Sequence, residues 1–241
     1  MINLQTILNF PIINEGDIIS DIIMDCIKYN KITLQNNDIL CVASKIVSIA
    51  ESRILSLESI IPSPLAYEIH KKVPRKDPRI IQQIINETGA ADGSRVEVSD
   101  NYIGAWLPNG MRLTSAGIDK FSEDKIILLP INPDESAKNI GEKILNKLGI
   151  NVAVIITDSD GRIEKRGATQ IAIGIYGLDP LRTTSFNGKI IEETICDMFA
   201  ASAGILMGQR GNNKPVVIIS GYEFDFNQSS CINSALAKNK D

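Results

Sequence analysis

The chain has one histidine, His70, and one tryptophan among 241 residues, and aromatic residues make up only 5% of it. A single histidine removes most routes to nucleophilic catalysis, because a Ser-His-Asp or Cys-His system would have to use that one imidazole. His70 sits in "YEIHKKVPRKDP", which reads as the end of an exposed helix, so a solvated or helix-capping role is expected. The four cysteines, Cys26, Cys41, Cys196 and Cys231, are far apart and form no CxxC pair. That spacing argues against a zinc site or a disulfide framework, and for reduced thiols in a cytoplasmic protein. No apolar run reaches membrane-spanning length, and "MINLQTILNFPIINEGD" lacks the basic stretch of a secretory signal, so secretion and membrane insertion are not expected. Neither sign of charge dominates: 25 Lys and Arg face 29 Asp and Glu, for a net charge of −4. A general nucleic-acid-binding surface is therefore not expected, and any cationic site must be local. There is also no GxxxxGKS-type phosphate loop and no strand-linked GxGxxG. A nucleotide, if bound, is held some other way.

What is present is a globular composition, 44% hydrophobic and 22% charged, long enough for one large domain or two closely packed lobes. Apolar residues at helical spacing predict helices in "GDIISDIIMDCIKY", "PSPLAYEIHKK", "DPRIIQQIINET", "DESAKNIGEKILNKLG" and "EETICDMFAASAGILMG". Pro78 suits a first helical turn, and Gly149 and Gly208 suit helix ends. Buried strands are predicted at the start of "DILCVASKIVSIAE" and in "KIILLP", "NVAVIIT", "TQIAIGIYG" and "KPVVIISG". From Val96 to Leu113 the pattern alternates, with turn signals at Ser99-Asp100-Asn101 and Pro108-Asn109-Gly110, so hairpins are expected. Hairpins mixed with helices favour an α+β fold over a doubly wound sheet. The chain is read as a single domain, residues 1–241, with the polar stretch 227–241 expected to be poorly ordered.

The stretch "TDSDGRIEKRG", residues 157–167, sets Asp158 and Asp160 beside Arg162, Lys165 and Arg166, with glycines at 161 and 167. A carboxylate at the carboxyl end of a buried strand is where open sheets place metal and phosphate chemistry. A calcium loop does not fit, because Gly161 comes at loop position four rather than six and the closing Glu is missing. "VIITDSDG" resembles the DxDG signature of haloacid-dehalogenase-like phosphatases, but the aspartates downstream, Asp179, Asp197, Asp225 and Asp241, do not pair with one another to hold magnesium. The remaining readings are a charged hairpin turn and a metal-phosphate site. Other segments bear on the choice. "TSAGIDKFSED" puts Asp119 beyond a small-residue turn, "VASKIVSIAESR" supplies Ser44 and Lys45 beyond a strand, and "LMGQRGNNKP" is a glycine-flanked polar loop before a strand.

In this order, with "FPIINEGD", "KDPRII", "LLPINPDESA" and "NGKIIEETICDMFAASAGILMGQ", these segments resemble the coenzyme F420-0:γ-glutamyl ligase family over most of the chain. The resemblance implies a two-lobed α+β fold with mixed and antiparallel sheets and flanking helices, assembled as a homodimer. It implies a GTP-dependent ligase using Mg2+ or Mn2+, in two ions, that adds L-glutamate to F420-0 or a similar carboxylate. Carried over, Asp119 and Asp158 would hold one metal, and Ser159 (usually Thr) and Gln209 would help hold a second. Asn9, Phe10, Pro11 and Ile12 would surround the guanine nucleotide. So would Ser44, Lys45 and the loop of Met207, Gly208, Gln209, Arg210, Gly211, Asn212, Asn213 and Lys214. Arg162 and Arg166 are candidates for a phosphoryl or carboxylate clamp through paired donors, although a salt bridge to Asp158 or Asp160 would explain either arginine equally well.

The chain departs from the family pattern in places. The family's SKAEGR reads "SIAESR" here, so a Lys becomes Ile49 and a Gly becomes Ser52; its NAGID reads "SAGID", with Ser115 for Asn; and Ser122 stands where an Asn is usual. The tail "EFDFNQSSCINSALAKNKD" is unlike the family's usual ending. These changes leave two alternatives beside the F420-0 ligase: the same reaction on a folate acceptor, and a nucleotide-binding paralogue without catalysis.

Overall fold

Four apolar runs, "ILCV", "AVIITD", "AIGIY" and "VVIIS", build the centre of the protein. The structure is a computed structural model and describes residues 1–99, 101–209 and 211–237. Its first elements are β1 (Asn3–Thr6), α1 (Ile19–Tyr29), β2 (Ile39–Ala43), α2 (Ser44–Ala50) and β3 (Ile54–Ser56). Next come α3 (Pro64–Lys72), α4 (Pro78–Thr88), β4 (Val96–Ser99), β5 (Tyr102–Trp106), β6 (Arg112–Thr114), β7 (Asp119–Lys120) and β8 (Lys125–Ile127). The chain continues through α5 (Pro133–Leu148), β9 (Ala153–Arg162), β10 (Lys165–Tyr176), β11 (Leu181–Phe186), β12 (Lys189–Thr194), α6 (Ile195–Met207) and β13 (Val216–Ser220). The fold is α+β, as the sequence pattern predicts. No helix among the described residues is long and apolar enough to cross a membrane.

The chain divides into two compact units. Unit 1 comprises Met1–Ser52, Pro130–Ser159 and Thr169–Ala235. It holds a five-stranded sheet in the order β1-β13-β2-β9-β10. β2 pairs with β9 in parallel, from Ile39 opposite Ala153 to Ala43 opposite Thr157. β13 runs antiparallel to both β1 and β2. Ile39 to Val42 and Ala153 to Ile156 are fully or almost fully buried at every position. Successive side chains of a strand point to opposite faces, so both faces of this pair are covered. α6 packs on β13, β1 and β2, and α1 packs on α5. α5 approaches β10 closely: a Cβ at Gly174 would overlap the Pro133 backbone, and one at Gly141 would overlap the Tyr176 ring.

Unit 2 comprises Arg53–Leu129, Asp160–Ala168 and, of the described C-terminal residues, 236–237. It holds two antiparallel three-stranded sheets, β4-β5-β6 and β3-β8-β7. α4 follows the sequence rules closely. Asp77 caps it by accepting from the Arg79 N–H at 2.8 Å, Pro78 opens it, and Gly89 closes it at φ +69°. Its buried Ile81, Ile84, Ile85 and Thr88 form one stripe, and the three isoleucines join Ile69, Val73, Ile103 and Ile126 in the core of this unit.

One expectation is corrected. Glu192–Thr194 do not begin the last helix, because they pair with Leu181–Thr183 in the β11–β12 hairpin and α6 starts at Ile195. Ser44–Ala50, beyond the predicted strand, form a helix. In the polar tail, Asn227 bridges to Gly177, and the Ile232 N–H donates to Asp134. Asp100, in a predicted turn, and residues 238–241 lie outside the described residues.

Two substitutions probe this scaffold. Gly174→Ala forces Pro133 away from β10 and should lower stability by about 1–3 kcal/mol, read as a lower urea midpoint at unchanged slope. Ser52 ends α2 at φ +57°, a left-handed position that favours glycine, so Ser52→Gly should raise stability by about 0.5–1 kcal/mol in the same measurement.

Candidate functional site

Strand direction decides where the polar segments of unit 1 meet. β1, β2 and β9 run the same way and β13 runs against them. The residues that follow β1, those that follow β2 and those that precede β13 therefore share one edge of the sheet. Ile7 N–H donates to Val216 O at 3.1 Å and Ala43 N–H to Pro215 O at 2.8 Å, which ties the three connections together. β9 passes the same edge at Asp158, just beyond its last pair with β2. This is the carboxyl-end crevice where parallel strands gather ligands. The edge collects Asn9 to Ile12, Ser44 and Lys45, Asp158 and Ser159, and the connection from Met207 to Lys214, residues scattered over most of the sequence.

At its centre, the Ser44 hydroxyl donates to Asp158 Oδ1 at 2.7 Å. Ser44 is buried at the start of α2 and Asp158 is half-buried, so the bond is sheltered and the carboxylate is held in one orientation. Beneath it, the Thr157 hydroxyl contacts Met207 Sδ at 3.8 Å, which joins β9 to the end of α6. Gly208 ends that helix at φ +66°, and Asn212 Nδ2 reaches back to Met207 O at 3.2 Å, shaping the loop. Gln209, Gly211, Asn212 and Asn213 are exposed and Lys214 is half-buried. Arg210 lies outside the described residues. Phe10 is buried in the core, whereas Asn9, Pro11 and Ile12 are exposed.

The other candidates belong to unit 2. Asp119 opens β7, half-buried, after a turn in which Ser115, Ala116 and Gly117 all have left-handed backbone. Arg162 and Arg166 are exposed on the outer part of the β9–β10 hairpin. "TDSDGRIEKRG", read as a charged hairpin turn, lies in that hairpin, but its turn is shorter than the polar stretch. Residues 157–162 remain in strand, and only Ile163 and Glu164 turn. A neighbouring strand satisfies the backbone of this polar stretch, so polarity here did not signal a loop. Asp160 accepts from the Thr114 N–H at 2.8 Å, and the Thr114 hydroxyl donates to Gly161 O at 3.1 Å. Asp160 is thus a structural acceptor rather than a phosphatase-type acid.

Other chemistries are disfavoured by the same geometry. Burial pushes the Cys41 thiol up and the Cys196 thiol up to about 12, so neither supplies a thiolate near neutral pH. His70 Nδ1 lies 2.9 Å from Lys76 O and donates to it, so this half-buried ring ties down the α3–α4 connection instead of being solvated or capping its helix as expected. Among the described residues, no three His, Cys, Asp or Glu side chains are grouped to hold a metal. A cleft of about 700 Å³ between α1, α2 and α5, lined by Ile19, Val47, Ile140 and Lys143, contains none of the residues singled out from the sequence. Removing the Asp160 acceptor should cost about 1–3 kcal/mol in Asp160→Ala by leaving the Thr114 N–H unpaired. Asp160→Asn, which keeps an acceptor, should lose clearly less in the same urea titration.

Comparison with known proteins gives the family of the chain. Residues 7–221 match the model of the family described as F420-0:Gamma-glutamyl ligase. The chain is 37% identical over 223 residues to a coenzyme F420:L-glutamate ligase of Methanosarcina mazei, covering 89% of this chain and 84% of that protein. It is 33% identical over 230 residues to one of Methanothermobacter thermautotrophicus, covering 92% and 89%. A third, of Methanocaldococcus jannaschii, is 35% identical over 201 residues, covering 80% and 79%. With a match spanning nearly all of unit 1's sheet and the whole of Arg53–Leu129, the chain belongs to the F420-0:γ-glutamyl ligase family.

Proposed function

We propose that the chain is a GTP- and divalent-metal-dependent γ-glutamyl ligase, homodimeric, that adds L-glutamate to a carboxylate acceptor such as coenzyme F420-0. The observation that carries this reading is the sheet edge of unit 1. There the family's polar segments assemble around Asp158, held by Ser44 at 2.7 Å.

A carboxylate does not condense with an amine directly, because the anion is a poor electrophile and oxide a poor leaving group. Transfer of the GTP γ-phosphoryl group to the acceptor carboxylate makes an acyl phosphate. The glutamate amine then attacks that carbonyl and phosphate leaves. No protein nucleophile is needed, in keeping with the high thiol pKa values and a histidine engaged at Lys76 O. Asp158, Ser159 and Gln209 offer carboxylate, hydroxyl and amide oxygens, a donor set that suits Mg2+ or Mn2+ and not a soft metal. Asp119 is the carboxylate of unit 2 to which the family resemblance gives the same task. Bound ions would neutralise phosphate charge during the transfer. Ser44 would keep Asp158 oriented for that role, and the loop 211–214, exposed at Gly211, Asn212 and Asn213, would contact the nucleotide.

Purified protein incubated with GTP, Mg2+ or Mn2+, L-glutamate and F420-0 should yield GDP and a glutamylated product by mass spectrometry. Asp158→Asn should lower kcat/KM at least about 100-fold, and Ser44→Ala should weaken Mn2+ binding about 10–100-fold, as expected for a group that orients a metal ligand. Absence of both GDP and product rejects the reading. Extension of dihydrofolate or tetrahydrofolate instead would move the acceptor to folate.

A further inference from the structure

Lys76 lies in the short connection between α3 and α4, half-buried, and its ammonium donates to the Ser115 hydroxyl at 2.5 Å. Loss of hydration lowers its pKa from the ordinary lysine value; nearby Arg75 adds to the shift and Asp119 opposes it. Sequestering an ammonium is unfavourable, and a loop lysine is usually free to reach water instead. The backbone that carries this one is fixed on both sides of its Cα. Lys76 N–H donates to Val73 O at 3.0 Å, and Lys76 O accepts from His70 Nδ1 at 2.9 Å. The only histidine of the chain thus helps to fix the loop that carries Lys76.

The partner is held as firmly. Ser115 is buried, with φ +54°, and Ala116 (φ +56°) and Gly117 (φ +71°) follow it in the left-handed region. Two successive non-glycine residues in that region are costly, and such strain is concentrated at ligand-binding positions. Ile118 N–H closes the turn on Ser115 O at 3.0 Å, and Asp119 follows at once. An ammonium has three donors and a serine hydroxyl accepts only one of them, while the hydroxyl keeps a proton of its own to donate.

We infer that Lys76 is a substrate-contacting residue, with Ser115 positioning it, and that its ammonium receives an anionic oxygen, phosphoryl or carboxylate, of the ligation substrates. The inference deepens the proposed ligation and rests on it. Within unit 2, the Lys76 ammonium is more sheltered than the exposed Arg162 and Arg166. A half-buried charge interacts more strongly with an anion than a solvated one. A lysine head, compact with rotatable donors, can follow an oxygen as charge moves from carboxylate to phosphoryl group.

The test is calorimetric titration of wild type, Lys76→Met, Lys76→Arg and Ser115→Ala with inorganic phosphate, L-glutamate and F420-0 in turn, with urea midpoints checking that each variant is folded. Lys76→Met should weaken at least one titration by about 10-fold or more, the loss of a charge-assisted hydrogen bond. Lys76→Arg should recover part of that loss, and Ser115→Ala should lose less. An effect on phosphate identifies a phosphoryl oxygen, and one confined to L-glutamate or F420-0 identifies a carboxylate. The inference is overturned if wild type binds none of the three, if Lys76→Met binds all three like wild type, or if Ser115→Ala equals Lys76→Met with no recovery in Lys76→Arg. Wild-type ligation that survives Lys76→Met also overturns it and leaves the ligase reading standing. Lys76-dependent anion binding by a wild type that ligates nothing does the reverse.

Discussion

The parallel pairing of β2 with β9 is the constraint on which the arrangement of unit 1 depends. Ile39–Ala43 and Ala153–Thr157 are 114 positions apart, yet they lie side by side in register. Almost every side chain along the pair is buried, so a slip by one residue would place the same apolar groups against the wrong neighbours and break the packing on both faces. A parallel pair needs a long crossover, and here that crossover includes nearly the whole of unit 2. One pairing therefore fixes the frame of unit 1 and delivers Ser44 and Asp158 to the same edge.

Polar chemistry is added to that frame at small cost because it sits just beyond the buried run. Ser44 follows Ala43, and Asp158 follows Thr157, each one step past the last paired residue. Their hydrogen bond satisfies two groups that are partly removed from water, which would be costly if either were left alone. The backbone bears strain elsewhere. Ser52, Ser115 and Ala116 all occupy left-handed conformations. Two of the three are positions where the chain departs from the family pattern, from Gly at Ser52 and from Asn at Ser115. Glycine and asparagine tolerate that conformation better than serine, so these departures trade backbone ease for a hydroxyl. At Ser115 the hydroxyl has a visible use, as the acceptor for Lys76.

Much of the fold is legible in the sequence where local rules are strong. α4 and α5 have a cap, a proline in the first turn, an apolar stripe and a closing glycine, and both form as written. The alternating stretch from Val96 becomes β4, β5 and β6. Legibility fails where non-local pairing overrides local composition. Glu192–Thr194 look helical beside the apolar run that follows, yet β11 recruits them into a strand. Asp158–Arg162 look like a loop because they are polar, yet β10 holds them extended. The site follows the same division. The residue types and order of its segments are visible in one dimension, while the Asp160 bond to Thr114 and the Lys76 bond to Ser115 join residues 46 and 39 positions apart and leave no local trace.

By itself the sequence determined the α+β class, the helices with strong caps, and the family to which the chain belongs. Those properties depend on residue types and short-range spacing. Only the tertiary structure decided that Ser44 orients Asp158, that Asp160 serves the backbone, that Phe10 is core, and that Lys76 is a sheltered cation. Each of these depends on strand direction or on a contact between distant segments, and a sheet's register is set by the packing of both its faces rather than by any one strand.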